Sequence, residues 1–156
     1  MGLIAIALGS ATFGLSVIYR SNVNSHASEL VNEIRIAQTK QMASASKTFD
    51  VTISYDGSNY YAKTYLIEGG SSREIKSHKF SNKISIWKDT GTGYVELSTI
   101  TDPIADVGEM VKTFRFSTST GKVVSKAYGD YLIKSSISDR EVEIFVVKEN
   151  GRVYVK

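Results

Sequence analysis

LIAIALGSATFGLSVIY, residues 3–19, is the stretch around which the chain is organised. It contains no charged residue, and its only polar side chains before Tyr19 are the hydroxyls of Ser10, Thr12 and Ser16. A helix of this length spans about 25 Å at about 1.5 Å per residue, near the short end of what crosses a bilayer. Because no polar stripe interrupts it, we expect the segment to be buried on all sides, in lipid or among other helices.

An apolar N-terminal stretch is usually a secretory signal or a simple membrane anchor. A secretory signal begins with a basic region, whereas here nothing basic precedes Arg20. Ser25-His26-Ala27 would pass as a small-residue cleavage site, but it lies beyond several polar residues. We therefore predict that residues 1–27 form an apolar N-terminal helix, a membrane anchor, and that residues 28–156 form a globular domain.

The domain is expected to begin with an amphipathic helix over residues 28–45. Ser28 is a plausible N-cap, with Glu29 in the first turn where the helix dipole favours it. Apolar and amide side chains recur at helical spacing and define one face, whereas most charged residues fall elsewhere. The face consists of Leu30, Val31, Ile34, Ala37, Gln38, Gln41 and Met42.

From Thr48 the periodicity changes from 3.6 to 2. Phe49, Val51, Ile53 and Tyr55 alternate with polar residues, which is typical of a half-buried strand. Further strands are expected at residues 60–67, 75–80, 83–87, 94–97, 111–117, 131–135, 142–148 and 152–156, separated by turn signals such as Asn150-Gly151. The predicted fold class is α+β, a long N-terminal helix packed on an antiparallel β-sheet domain. Its core is predicted to contain Phe49, Val51, Ile53, Phe114, Phe116, Ile144 and Val146.

Composition limits the function without naming it. The chain has 156 residues, 42% of them hydrophobic, and a single Pro, as expected of an ordered chain with room for one domain and an anchor. Lys and Arg outnumber Asp and Glu by 19 to 16, a weak positive balance. The absence of Cys excludes disulfides, Cys-based zinc sites and thiol catalysis.

No catalytic motif is present, and we predict that the protein is not an enzyme and uses no cofactor. The two histidines, His26 and His78, have no acidic cluster at ligand spacing and are interpreted as ordinary polar residues. Loops 89–93 and 102–106 could offer oxygens to calcium, but turn-forming Asp explains them equally well and is favoured. The tyrosines are interpreted as strand packing, and no metal site is predicted.

The order of these elements resembles the type IV pilin and pseudopilin family. Met1-Gly2-Leu3-Ile4 is similar to the start of mature pilins, and Gly14 falls where many pilins have a glycine. Phe114-x-Phe116, Glu141-Val142-Glu143-Ile144 and the ending Gly151-Arg152-Val153 are like the C-terminal signature of the GspH/FimT branch.

The resemblance implies a structural subunit of a surface filament that polymerises with itself and with other pilins. Such a subunit waits in the cytoplasmic membrane and is then extracted into an extracellular fibre, and its first residue, Met1 here, is N-methylated after a basic leader is removed. The filament core and membrane segment would be formed by Met1, Leu3, Ile4, Ala5, Ile6, Leu8, Gly9, Phe13, Gly14, Leu15, Val17 and Ile18.

The chain departs from the family pattern at two positions. Family members usually carry Glu at the fifth position, where it pairs with the ammonium of a neighbouring subunit, and this chain has Ala5. Many pilins have a helix-kinking proline where this chain has Asn22. We expect a repeating subunit whose ammonium is bound instead by neutral acceptors such as Ser10 and Thr12; a subunit at the filament tip is the alternative.

Other functions are weighed against this one. The first alternative is a minor pilin or pseudopilin of a type II secretion or DNA-uptake machine. A subunit of the DNA-uptake kind would contact nucleic acid through the basic ending, here Arg152 and Lys156. We favour the simpler interpretation that Arg152 solubilises an edge strand. The competing class is a membrane-anchored extracellular binding module that never polymerises.

Overall fold

The fold is known from a computed structural model, which describes residues 22–103 and 106–156. The helix α1 is assigned to Gly2–Met42, and its side chains are described from residue 22 onwards. The residues predicted to form the filament core, between Met1 and Ile18, and the methylation site Met1 lie outside the described residues.

The predicted fold class is wrong. The molecule is mostly β, with a helix described over about 21 residues (22–42) and two antiparallel sheets instead of a long N-terminal helix on a sheet. Among the described residues, nine strands follow α1, and each overlaps a predicted strand. They are β1 (Thr48–Tyr55), β2 (Tyr60–Glu68), β3 (Ser71–Lys79), β4 (Ile84–Asp89), β5 (Tyr94–Glu96), β6 (Thr113–Arg115), β7 (Gly129–Ser135), β8 (Glu141–Val146) and β9 (Val153–Val155).

The strands divide into a four-stranded sheet in the order β3-β2-β1-β6 and a five-stranded sheet in the order β5-β4-β7-β8-β9. Alternating patterns and turn signals predict where strands lie and which consecutive strands form hairpins. They do not predict which strands pair when these are distant in the sequence. β6 returns to pair with β1, placing Phe114 opposite Val51, and β4 pairs with β7, placing Ile86 opposite Ile133. These two long-range pairings separate the chain into two sheets.

The helix also differs from its prediction at both ends. It passes through Ser28, so the expected N-cap there is wrong, and it stops at Met42 instead of near Ala45. Val23 and Ala27 are each only 1% exposed in the core. Tertiary packing of these two side chains therefore overrides the weak helix propensity of the polar residues around them.

One hydrophobic core lies between α1 and both sheets. All seven core residues predicted from the alternating pattern are buried, which confirms that part of the prediction. The ring of Phe114 on β6 lies 5.6 Å from the ring of Tyr131 on β7, so the two sheets meet through aromatic side chains. On α1, Leu30, Ile34 and Ala37 are buried as predicted, whereas Met42 is half exposed.

Candidate functional site at the helix–sheet junction

Four polar side chains of α1 reach into the sheets and fasten the helix to them; we call Glu33, Arg35, Gln38 and Gln41 the helix clamp. At the C-terminal end of α1, the Gln41 side-chain oxygen accepts the N–H of Phe49 at 2.7 Å. The Gln41 amide nitrogen donates to the carbonyl of Lys47 at 3.2 Å. Gln41 therefore satisfies the backbone at the start of β1, and its burial is accompanied by hydrogen bonds.

Two further members of the helix clamp hold the last hairpin of the chain. The Gln38 amide nitrogen donates to the carbonyls of Gly121 and Asn150, at 2.9 Å and 2.6 Å. Arg35 donates to the carbonyl of Val153 at 2.6 Å. These carbonyls lie at the β8–β9 turn and beside it, so α1 is bound directly to the edge of the five-stranded sheet.

Glu33 is a charged residue in the interior. Its side chain is 1% exposed and forms an ion pair with Lys76 of β3. The Thr64 hydroxyl of β2 donates to the same carboxylate at 3.2 Å. The hydrogen bond to Glu33 raises the pKa of Lys76 above its ordinary value. A buried carboxylate is costly unless it is paired, so Glu33 couples the middle of α1 to the four-stranded sheet.

The structure brings together His26 and His78, which the sequence left as separate polar residues. Nδ1 of His26 lies 3.1 Å from Nε2 of His78, and Nε2 of His26 accepts the N–H of Ser81 at 3.2 Å. Both rings pack on the buried ring of Phe80, with centroids 5.2 Å and 5.0 Å away. This histidine pair joins α1 to the end of β3.

Arg152 and Lys156 lie in different surroundings. Arg152 is exposed and lines a groove of about 360 Å³ together with Arg35 and Gln38. The Lys156 ammonium lies 2.5 Å from the Asp130 carboxylate and 2.8 Å from that of Glu143. These two hydrogen bonds raise the pKa of Lys156 above its ordinary value. Its ammonium is thus already paired within the protein, and a phosphate would have to compete with two carboxylates for it.

The two loops considered for calcium use their aspartates to hold the backbone. The Asp89 carboxylate accepts the N–H of Gly91 at 2.8 Å, and that of Asp106 accepts the N–H of Gly108 at 2.9 Å. The Asp102 carboxylate accepts the N–H of Val111 at 2.8 Å and that of Lys112 at 3.0 Å. Within residues 22–103 and 106–156, no three His, Cys, Asp or Glu side chains form a group that could hold a metal ion.

Lys88 of β4 is another buried charge that the sequence patterns did not predict. It is 5% exposed, donates to the carbonyl of Tyr128, and lies with its ammonium 4.4 Å from the centre of the Tyr131 ring. Burial lowers its pKa to about 8. Lys88 lines a cavity of about 380 Å³ beside Gly129 and Asp130. The alternation of β4 places this residue on the inner face, which was the one signal available in the sequence.

The described side chains therefore form a junction at which hydrogen bonds and an ion pair hold α1 to both sheets. Within the part of α1 whose side chains are described, no helix is long and apolar enough to cross a membrane. Comparison of the chain with known protein families, with curated proteins and with solved structures found no match.

Proposed function

We propose that this protein is a structural subunit of a type IV pilus-like surface filament and that it polymerises through residues 3–19. The observation that carries the proposal is an uncharged segment followed directly by a helix that is clamped into a β domain. An apolar surface of this kind is stable only in lipid or against similar helices, and head-to-tail contacts between such helices do not close and so build a fibre.

The helix clamp supports the proposal because a filament must transmit force from its core to its outer domains. Glu33 binds α1 to the four-stranded sheet, while Arg35 and Gln38 bind it to the five-stranded sheet. Tension on the N-terminal segment would therefore act on both sheets at once. In this proposal the segment holds the subunit in the cytoplasmic membrane before assembly, and the sheets face outwards in the fibre.

The proposed partners are further copies of this chain and other pilins, and the proposed role is structural, without catalysis or cofactor. A DNA-binding role is less well supported, because Lys156 is engaged by Asp130 and Glu143. The remaining alternative is an anchored binding module that does not polymerise, and the absence of the wild-type protein from surface filaments would support it.

The experiment is a charge placed inside the proposed filament core. Gly14→Asp would put a carboxylate into an apolar contact at a cost of about 3 kcal/mol, roughly a hundredfold in equilibrium. We expect incorporation into surface filaments to be lost, while the thermal unfolding of the β domain is unchanged.

The matched control is Ser58→Asp, which adds the same charge at an exposed turn of the domain. We expect this variant to assemble as the wild type does. Filaments at wild-type abundance from Gly14→Asp would contradict the proposal.

A further inference from the structure

We propose that the histidine pair, His26 and His78, is a pH-dependent latch: it fixes α1 to the end of β3 while both rings are neutral, and it opens when either ring is protonated. The latch lies where α1 enters the domain, next to the buried residues Val23 and Ala27. It is therefore placed to regulate the junction between the N-terminal segment and the sheets.

The hydrogen bonds fix the position of each proton. Because Nε2 of His26 accepts the N–H of Ser81, neutral His26 must carry its proton on Nδ1. That proton points at Nε2 of His78, 3.1 Å away, which must therefore be the acceptor. Neutral His78 then carries its own proton on its other nitrogen. Both hydrogen bonds are satisfied by this one arrangement.

Protonation of either ring breaks the arrangement. A proton on Nε2 of His78 would face the N–H of His26, and a proton on Nε2 of His26 would face the N–H of Ser81. In each case a hydrogen bond is replaced by two opposed donors. The same geometry disfavours a metal bridging the rings, because a metal on Nδ1 of His26 would move its proton onto the nitrogen that accepts from Ser81.

The groups around the histidine pair shift the pKa of His26 in opposite directions. Burial, followed by the charge of a protonated His78, lowers the pKa of His26, while Glu29 on α1 raises it. Lys79 lines the same groove as His26, and Lys76 of β3 is held by Glu33. The net direction is a pKa below the ordinary value of His26.

The sign of the pH effect follows from this lowered pKa. The unfolded chain takes up the His26 proton near pH 6.5, whereas the folded chain resists it to lower pH. The free energy of unfolding therefore falls as the pH drops below about 6.5 and stops falling once the folded protein is also protonated. Opening is local, because the helix clamp holds α1 further along, from Glu33 to Gln41.

The direct test is nitrogen-15 NMR of the full chain in a non-ionic detergent. At pH 7.5 we expect both rings to carry their proton on Nδ1 and the Ser81 amide to be protected from hydrogen exchange. At pH 5.0 we expect the protection factor of Ser81 to fall at least tenfold, while that of Phe49, bound to Gln41, falls less. A proton on Nε2 of His26 at pH 7.5, or an unchanged Ser81 protection factor, would overturn the proposal.

Variants give a second readout. His78→Gln keeps an acceptor for His26 but does not titrate, and because the chain has only two histidines, combining it with His26→Gln removes all imidazole titration. We expect the loss of Tm between pH 7.5 and 5.0 to be largest in the wild type, smaller in His78→Gln and smallest in the double variant.

Equal losses of Tm in the wild type and the two variants would mean that carboxylates cause the pH dependence of stability. That result would overturn the proposed latch. A rise in the Tm of the wild type on adding equimolar zinc, absent in His78→Gln, would instead identify a metal site and also overturn it. If a variant does not fold, the proton positions measured in the wild type still decide the question.

Discussion

At the scale of single residues, the inner faces of the sheets carry charges that a simple hydrophobic core would not contain. Lys88 occupies a position on β4 where the alternating pattern requires burial, and its amine binds the Tyr128 carbonyl and the face of the Tyr131 ring. A carbonyl and an aromatic ring stabilise an ammonium less than water does. The pKa of about 8 is the consequence.

This lowered pKa predicts how stability depends on alkaline pH. The folded protein releases the Lys88 proton near pH 8, whereas the unfolded chain keeps it to about pH 10.5. Between these values the unfolded state binds more protons, so the free energy of unfolding gains up to about 3 kcal/mol from Lys88 as the pH rises. We expect urea unfolding at pH 7.5, 8.5 and 9.5 to show about 2 kcal/mol of this gain in the wild type and none in Lys88→Met. Parallel pH profiles for the two proteins would contradict the assignment.

Sequence patterns could not predict which partners the polar side chains of the core contact. His26 and His78 lie 52 residues apart, and Glu33 meets Lys76 across 43 residues. Neither separation corresponds to a short-range sequence pattern, because the contacts form only when α1 packs against β2 and β3. The Glu33 carboxylate also falls on the buried side of α1, where apolar periodicity alone predicts no charge.

At the scale of elements, the turn between β8 and β9 is fitted against α1. Gly151 has a φ of +63°, which favours glycine. A Cβ at this position would clash with the Gly121 carbonyl and the Gln38 amide, and it would lie 3.1 Å from the Phe116 ring. The Asn150-Gly151 signal correctly predicted a turn between β8 and β9. The sequence did not show that this turn contacts α1.

The contribution of close packing at Gly151 to the free energy of unfolding can be measured separately from that of its backbone conformation. Gly69 has a similar φ of +58°, and a Cβ there would have nothing within 4 Å. We expect Gly69→Ala to lower the free energy of unfolding by about 1 kcal/mol, the cost of the backbone conformation alone. Gly151→Ala should cost about 3 kcal/mol, because overpacking against a backbone carbonyl is added. Equal losses in urea unfolding would mean that the turn does not bind the helix as described.

The position of β1 could be predicted because its apolar residues alternate, as in Phe49, Val51 and Ile53. β3 is exposed over almost its whole length and carries no such alternation, and it begins at Ser71 and not at the predicted residue 75. The sheet order could not be predicted. Among the strands of the described residues, no local signal in β1 selects β6 as its partner. The prediction of a single sheet was therefore wrong about which strands pair with each other, and not about the approximate positions of the strands.

At the scale of the whole molecule, the core reaches further towards the N-terminus than the predicted boundary at residue 28. Val23 and Ala27 are each 1% exposed, and His26 contacts β3. We expect residues 28–156 to fold as a monomer with a cooperative thermal transition, and residues 22–156 to be more stable by about 2 kcal/mol, from the burial of Val23 and Ala27. Denaturant unfolding of the two fragments measures this difference, and equal stability would show that residues 22–27 do not belong to the domain.

We propose that residues 3–19 and the β domain act together as a repeating filament subunit. The most direct measurement is immunogold labelling of the β domain on filaments purified from the cell that makes this protein. In a repeating subunit, neutral acceptors would take the place of the glutamate that family members carry at position 5, so we expect even labelling along the whole filament length. Label confined to one filament end, or found on membranes without any filament, would contradict it.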